Sequence, residues 1–179
     1  MNYILLANGF EEIEAISVID ILRRAEIDLT IVSINDTLEV ISDRELKVIA
    51  DITIDEVDEN ELNSLILPGG SGHKNLEASE KVIELLKYSY DRNKYIFAIC
   101  AAPSILGKLG LLEGKKATAY PGFEKYLEGA DISSEDVCVD GKLITSRGPG
   151  TAHKFAYKIV ETLVNKELAN QLQEGMLFN

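Results

Sequence analysis

Cys100 is the residue of this chain whose type and setting point most directly to chemistry. It closes the apolar run Tyr95-Ile96-Phe97-Ala98-Ile99 and is followed at once by Ala101-Ala102-Pro103-Ser104-Ile105-Leu106. The first run is short, apolar and partly β-branched, which suits a strand buried on both faces. The second is rich in Ala and Leu and reads as a helix, with Pro in the first turn where its missing N–H does no harm. The spacing therefore puts the cysteine on a sharp strand-to-helix corner, facing free N–H groups and the positive end of a helix dipole. Such a corner predicts a thiol acidified below the free-cysteine value of about 8.5. It can also form an oxyanion hole. The rival reading is a buried, inert cysteine; the corner position favours the reactive one. Cys138 lies in a hairpin strand with no polar cluster around it and reads as packing.

Three acids, Glu11, Glu12 and Glu14, open the first helical segment. The helix dipole favours acids there whatever their function. A carboxylate on the inner face next to Ile13 and Ile16 would be desolvated, its pKa would rise, and its acid form could donate to sulfur or carry a proton. The residues alone do not choose among the three. Pro68-Gly69-Gly70-Ser71-Gly72 is either a plain turn or a place where the N–H groups of Gly69 and Gly70 approach an oxyanion closely. It lacks GxxxxGK[ST], so no nucleotide loop is read there. Ser146-Arg147-Gly148-Pro149-Gly150-Thr151 is either a turn with a cap or a site where Arg147 holds a carboxylate or phosphate. His73 and His153 read as surface residues. Neither stands in a metal-ligand spacing with Cys or a second His, so no metal or other cofactor is expected.

These residues must be positioned by the elements around them. Strands are expected at Tyr3–Ala7, Asp28–Ile34, Ser64–Leu67, Tyr95–Ile99 and Lys116–Ala119. Short strands at 40–41 and 47–49 flank the polar turn Ser42–Glu45, and Val137–Val139 with Lys142–Thr145 flank Asp140-Gly141, a strong hairpin signal. Helices are expected at Glu11–Ala25, Glu77–Asn93, Gly150–Asn165 and Glu167–Gln173, with a surface loop at Asp55–Asn63. Strands alternating with helices imply a mainly parallel sheet covered on both faces. Ligands in such folds bind beyond the carboxyl ends of the strands. Asn8–Glu14, Pro68–Gly72 and Cys100–Pro103 all fall there. No repeat, linker or low-complexity stretch interrupts residues 1–179, which read as one domain.

The formal net charge is −12, from 30 acids against 18 bases, and the acids are scattered. An acidic surface without a basic stripe excludes nucleic acid as the main partner. No stretch approaches the roughly 18 apolar residues of a membrane span. Leu5 and Leu6 belong to a short apolar run broken by Asn8-Gly9, a first strand and not an export signal. Two cysteines without a CxxC fit a cytoplasmic protein with reduced thiols.

Gly9-Phe10-Glu11-Glu12-Ile13-Glu14, Leu67-Pro68-Gly69-Gly70, Ala98-Ile99-Cys100-Ala101-Ala102-Pro103 and Thr145-Ser146-Arg147-Gly148-Pro149-Gly150-Thr151 together resemble the ThiJ/PfpI family, on the branch of the parkinsonism-associated protein deglycase. The resemblance implies a flavodoxin-like three-layer α/β/α sandwich and a homodimer. It implies Cys100 as nucleophile and oxidation-sensitive residue, and Glu14 as the buried acid bonded to its sulfur. It further implies Gly70 and Ala101 as oxyanion donors, and Arg147 and Arg44 near the pocket, Arg44 reaching in from a second subunit. One position departs. Better-known members carry a histidine in the segment that here reads Thr118-Ala119-Tyr120-Pro121. Tyr120 can donate a hydrogen bond but is a poor base near neutral pH, which argues against a Cys-His peptidase.

The resemblance implies a stress-response enzyme acting on small reactive dicarbonyls or their adducts. In that reading Cys100 adds to the aldehyde and Glu14 moves a proton. The alternative is an oxidation sensor or redox-regulated chaperone working through a Cys100 sulfinate. A thiamine-related role, by which parts of the family are named, has no support beyond a glycine-rich turn.

Overall fold

The computed structural model describes residues 1–178. The first half of the chain forms β1 (Asn2–Leu6), α1 (Glu12–Arg24), β2 (Leu29–Ser33), β3 (Glu39–Ile41), β4 (Lys47–Ile49), β5 (Ile52–Thr53), β6 (Ser64–Leu67), α2 (His73–Ala78) and α3 (Glu80–Asp91). The second half forms β7 (Tyr95–Ile99), α4 (Pro103–Lys108), β8 (Lys116–Ala117), β9 (Asp131–Ile132), β10 (Val137–Asp140), β11 (Leu143–Ser146), α5 (Ala152–Leu163) and α6 (Lys166–Gly175).

Seven strands make one sheet in the order β10-β11-β7-β6-β1-β2-β5. Every pairing is parallel except β10 with β11, the hairpin around Asp140-Gly141. Strand residues alternate between two cores, as the two-residue period requires. Ile4, Leu6, Ile66, Phe97 and Ile99 face a cluster with α1, α5 and α6. Tyr3, Leu5, Leu65, Leu67, Ile96 and Ala98 face a cluster with α2, α3 and α4. The result is the three-layer α/β/α sandwich with a mainly parallel sheet that the sequence predicts. No helix among the described residues is long and apolar enough to cross a membrane.

Three expectations are corrected. The long helix expected over Glu77–Asn93 is two helices. The chain turns helical already at His73, and Ser79, with an extended backbone, closes α2 and caps α3 by accepting the N–H of Val82 at 3.4 Å. The strand expected over Lys116–Ala119 stops at Ala117. Beyond it, Thr118 N–H goes to Thr145 Oγ1 (2.9 Å) and Tyr120 N–H to Cys100 O (2.8 Å), so the segment leaves the ladder to hold the cysteine corner. In α1 the inner stripe is Glu14, Ala15, Val18, Ile21 and Leu22. Ile13 and Ile16 are instead 50% and 39% exposed. At 100° per residue they cannot share a face with Val18 and Leu22.

Candidate active site

β7, β6 and β1 are neighbours at the centre of the sheet, so the segments leaving their carboxyl ends converge. Cys100 follows β7 directly and adopts φ +66°. For a residue with a side chain this left-handed backbone costs about 1–2 kcal/mol. Surrounding bonds hold it there: Cys100 N–H donates to Ser146 O at the end of β11 (2.9 Å), and its carbonyl accepts from Tyr120. The backbone N–H groups of Gly70 and Ala101 act on the sulfur and favour its charged form. Cys100 is 9% exposed.

The three acids of α1 part company in the structure. Glu11 is the N-cap, its carboxylate accepting Glu14 N–H at 2.8 Å. Glu12 reaches across to the β3–β4 turn, accepting the Ser42 hydroxyl and the Arg44 N–H. Glu14 alone is fully buried, at 0% exposure. Its Oε2 accepts Gly69 N–H at 2.7 Å. Its Oε1 has no partner, the one such fully buried side-chain nitrogen or oxygen among the described residues. Buried polar atoms are almost always paired, so an exception calls for an explanation.

Burial, the largest influence, pushes the Glu14 carboxyl up to about 7; the Gly69 N–H and Cys100 oppose it. Cys100 does not behave as its corner predicts. Burial pushes the thiol up, the charge of Glu14 pushes it further, and the N–H groups of Gly70 and Ala101 only partly offset them. Two forces that sequence does not display, desolvation and a like charge, oppose the acidification expected from the corner. A thiolate beside an ionised Glu14 is disfavoured; it forms when Glu14 carries the proton.

Gly69 and Gly70 have different tasks. A side chain at Gly69 would place its Cβ 2.6 Å from Cys100 Cβ and 2.9 Å from Glu14 Oε2. Only glycine lets acid and thiol approach. Its N–H goes to Glu14 and is not available to an oxyanion, contrary to the sequence reading. Gly70, at φ +82°, supplies an N–H that acts on the sulfur.

Cys100 opens onto a cavity of about 320 Å³ lined by Asp43, Gly70, Ser71, His73, Lys74, Ala101, Tyr120 and Phe123. Tyr120 is on the wall, as its place in the sequence predicts. Arg44 and Arg147 of the same chain are not. Arg44 is exposed and its guanidinium meets the Asp43 carbonyl at 3.2 Å; Arg147 is half-buried and its charge acts on Asp136. His73 is a cavity residue that the sequence reading misses. It is only 8% exposed. Its place one residue past the glycine turn was the available signal. His153 is also no free surface residue: its ring stacks on Phe178 with centroids 3.9 Å apart. Cys138 is buried in β10, at 1% exposure. Among the described residues no group of three or more His, Cys, Asp or Glu side chains could hold a metal ion.

The sequence model of the DJ-1/PfpI family matches residues 2–162. The chain belongs to that family. It is 41% identical over 174 residues to Protein DJ-1 homolog B of Arabidopsis thaliana, covering 96% of this chain and 40% of that relative. The chain thus spans about two fifths of that protein's length. It is 30% identical over 161 residues to Deglycase PfpI of Pyrococcus furiosus, covering 89% of this chain and 96% of the relative. Among solved structures, oxidized DJ-1 of Toxoplasma gondii superposes with a TM-score of 0.94 at 39% identity, covering 99% of this chain and 97% of the other.

Proposed function

We propose that this DJ-1/PfpI protein is a cysteine-dependent enzyme that converts small reactive dicarbonyls, or their early adducts on thiols and amines, into hydroxy acids. The observation that carries the reading is the unpartnered Glu14 Oε1 in a buried carboxyl poised near neutrality beside Cys100. A proton carrier must be free on one atom and must change charge near the working pH. The relative from Pyrococcus furiosus bears the name deglycase, which agrees with this class.

Cys100 passes its proton to the solvent-facing side and adds as thiolate to the aldehyde carbon of methylglyoxal, giving a hemithioacetal. The N–H groups of Gly70 and Ala101 hold the oxygen while it is anionic. Glu14 first gives its proton to that oxygen and so becomes the base; it then removes the hydrogen of the former aldehyde carbon and returns it to the neighbouring carbon, while the hydroxyl proton passes to the ketone oxygen, which turns the ketone into an alcohol and the hemithioacetal into a thioester. Water cleaves the thioester and releases lactate. No metal or organic cofactor enters these steps. Lactate formation from methylglyoxal tests the reading: Cys100→Ser should abolish it, and full activity in that variant would refute it.

A second reading draws support from the same N–H groups and from the solved relative described as oxidized. Peroxide would convert Cys100 to a sulfinate held by Gly70 and Ala101, a sensor state. Mild peroxide should then add two oxygens at Cys100 selectively; equal reaction at Cys138 would count against it. The exposed side chains Ile13, Ile16 and, on the adjoining hairpin, Leu46 and Ile49 (63% exposed) form the surface that we assign to a homodimer contact. The cytoplasm, where thiols stay reduced, is the compartment that suits both readings.

A further inference from the structure

His73 has no part in the steps above, yet it lines the cavity onto which Cys100 opens. Its Nδ1 lies 2.8 Å from the carbonyl oxygen of Gly70. A carbonyl oxygen can only accept, so Nδ1 carries the hydrogen and the neutral ring keeps its lone pair on Nε2. No protein group among the described residues bonds Nε2. Glu14 Oε1 being the one sealed, unpartnered atom, Nε2 touches solvent, and the cavity is the opening that His73 lines. The ring is further fixed edge-on against Phe123, with centroids 5.3 Å apart and planes at 86°. One residue acts on both: the Gly70 N–H favours the charged form of Cys100 and its carbonyl holds His73.

We propose that His73 is the general base of thioester hydrolysis, the step that frees Cys100. This rests on the dicarbonyl reading above. Nε2 takes a proton from a cavity water as that water's oxygen bonds to the thioester carbon. The C–S bond then breaks with its electron pair going to sulfur, and the proton on His73 passes to the sulfur. The products are the hydroxy acid and the free thiol. No oxidant or reductant is consumed, because the earlier proton shift has already oxidised the aldehyde carbon and reduced its neighbour.

The other groups on the cavity wall do not suit this task. Both oxygens of Asp43 are occupied by Ser71, one by its N–H at 2.8 Å and one by its hydroxyl at 2.5 Å. Lys74 is a donor without a lone pair in its charged form. Tyr120 offers a phenol, a poor base near neutral pH. Glu14 is sealed from solvent at 0% exposure, so it meets the carbon next to the sulfur but no free water. An imidazole with a free Nε2 is what remains, and imidazole is the side chain suited to proton transfer in this pH range.

The test compares wild type with His73→Gln and His73→Asn, whose amides can still donate to the Gly70 carbonyl. Methylglyoxal is the probe; lactate release and the intact mass of the protein during turnover are read together. The proposal expects turnover to fall by about 100-fold or more. It also expects Cys100 to accumulate one methylglyoxal mass in a form that hydroxylamine cleaves, the signature of a stalled thioester. Two results overturn it: wild-type turnover in both variants, or slow turnover with Cys100 free, which would place the defect before the acyl stage. A wild type that forms neither lactate nor an adduct would instead overturn the dicarbonyl reading itself, and this proposal with it.

Discussion

Replacing Glu14 by Gln should reshape how stability depends on pH. Burial raises the carboxyl from 4.5 to about 7. Each unit is worth about 1.4 kcal/mol, so the whole shift corresponds to about 3 kcal/mol. A carboxyl whose pKa is raised on folding binds its proton more tightly in the folded state. Its stabilising effect is present at low pH and is lost as pH rises from about 4.5 to about 7. Gln is nearly isosteric, keeps an acceptor for Gly69 N–H and does not titrate. Wild type should therefore lose about 3 kcal/mol relative to Glu14→Gln between pH 4 and pH 8. Cys100 adds little to this window, since burial opposes ionisation of the folded thiol and the unfolded thiol titrates near 8.5. Urea unfolding of both proteins across that range measures the difference directly. Parallel stability curves, offset by a constant amount, would refute the claim that Glu14 is desolvated and near neutrality in the folded protein.

Further expectations follow from the same geometry. Alkylation of Cys100 by iodoacetamide should climb more slowly above about pH 7 in wild type, where ionised Glu14 opposes the thiolate, and Glu14→Gln should remove that lag and react faster at pH 8. Because Cys100 sits at φ +66°, Cys100→Gly should unfold at no lower temperature than Cys100→Ala, the reverse of the usual order; a clearly less stable Gly variant would mean the corner is not strained. Gly69→Ala must push Cys100 and Glu14 apart, so a loss of about 1–3 kcal/mol and of lactate formation is expected, checked by denaturant melts and the lactate assay. Ile49→Asp, with or without Ile13→Asp, should shift the protein to a monomer in sedimentation velocity, and an unchanged sedimentation coefficient would remove these residues from the interface.

The parts of the fold legible in sequence were those with local signatures. The apolar run into Cys100 and the Pro-containing helix after it announce the corner, and Asp140-Gly141 announces its hairpin. The three strand ends that carry Glu14, Gly69 and Cys100 could be placed together because parallel sheets gather their ligand sites there. What escaped depends on burial and on distant partners. Glu11, Glu12 and Glu14 are alike in type, and only the packing of α1 makes one a cap, one a cross-link to Ser42 and one a buried acid. The split at Ser79 turns on one side-chain cap that competes with continuous helix. β9, the partner of β8, is two residues long, too short to leave a period. A lone histidine reads as surface by default, and the ring of His73 is drawn inward by the Gly70 carbonyl and by Phe123, 50 residues along the chain, neither of which periodicity reveals. The forces on Cys100 divide the same way: dipole and N–H groups are visible in the sequence order, while desolvation and the charge of Glu14 are visible only in the fold.

The most direct test of the central claim is to locate the first covalent bond made by methylglyoxal. Wild type, Cys100→Ser and Cys138→Ser would each be exposed briefly at neutral pH, the adduct trapped by borohydride and mapped by peptide mass spectrometry, with lactate measured in parallel. The account predicts one adduct at Cys100 in wild type and in Cys138→Ser. It predicts neither adduct nor lactate in Cys100→Ser. An adduct spread over both cysteines and the surface lysines, with lactate formed equally by Cys100→Ser, would contradict it.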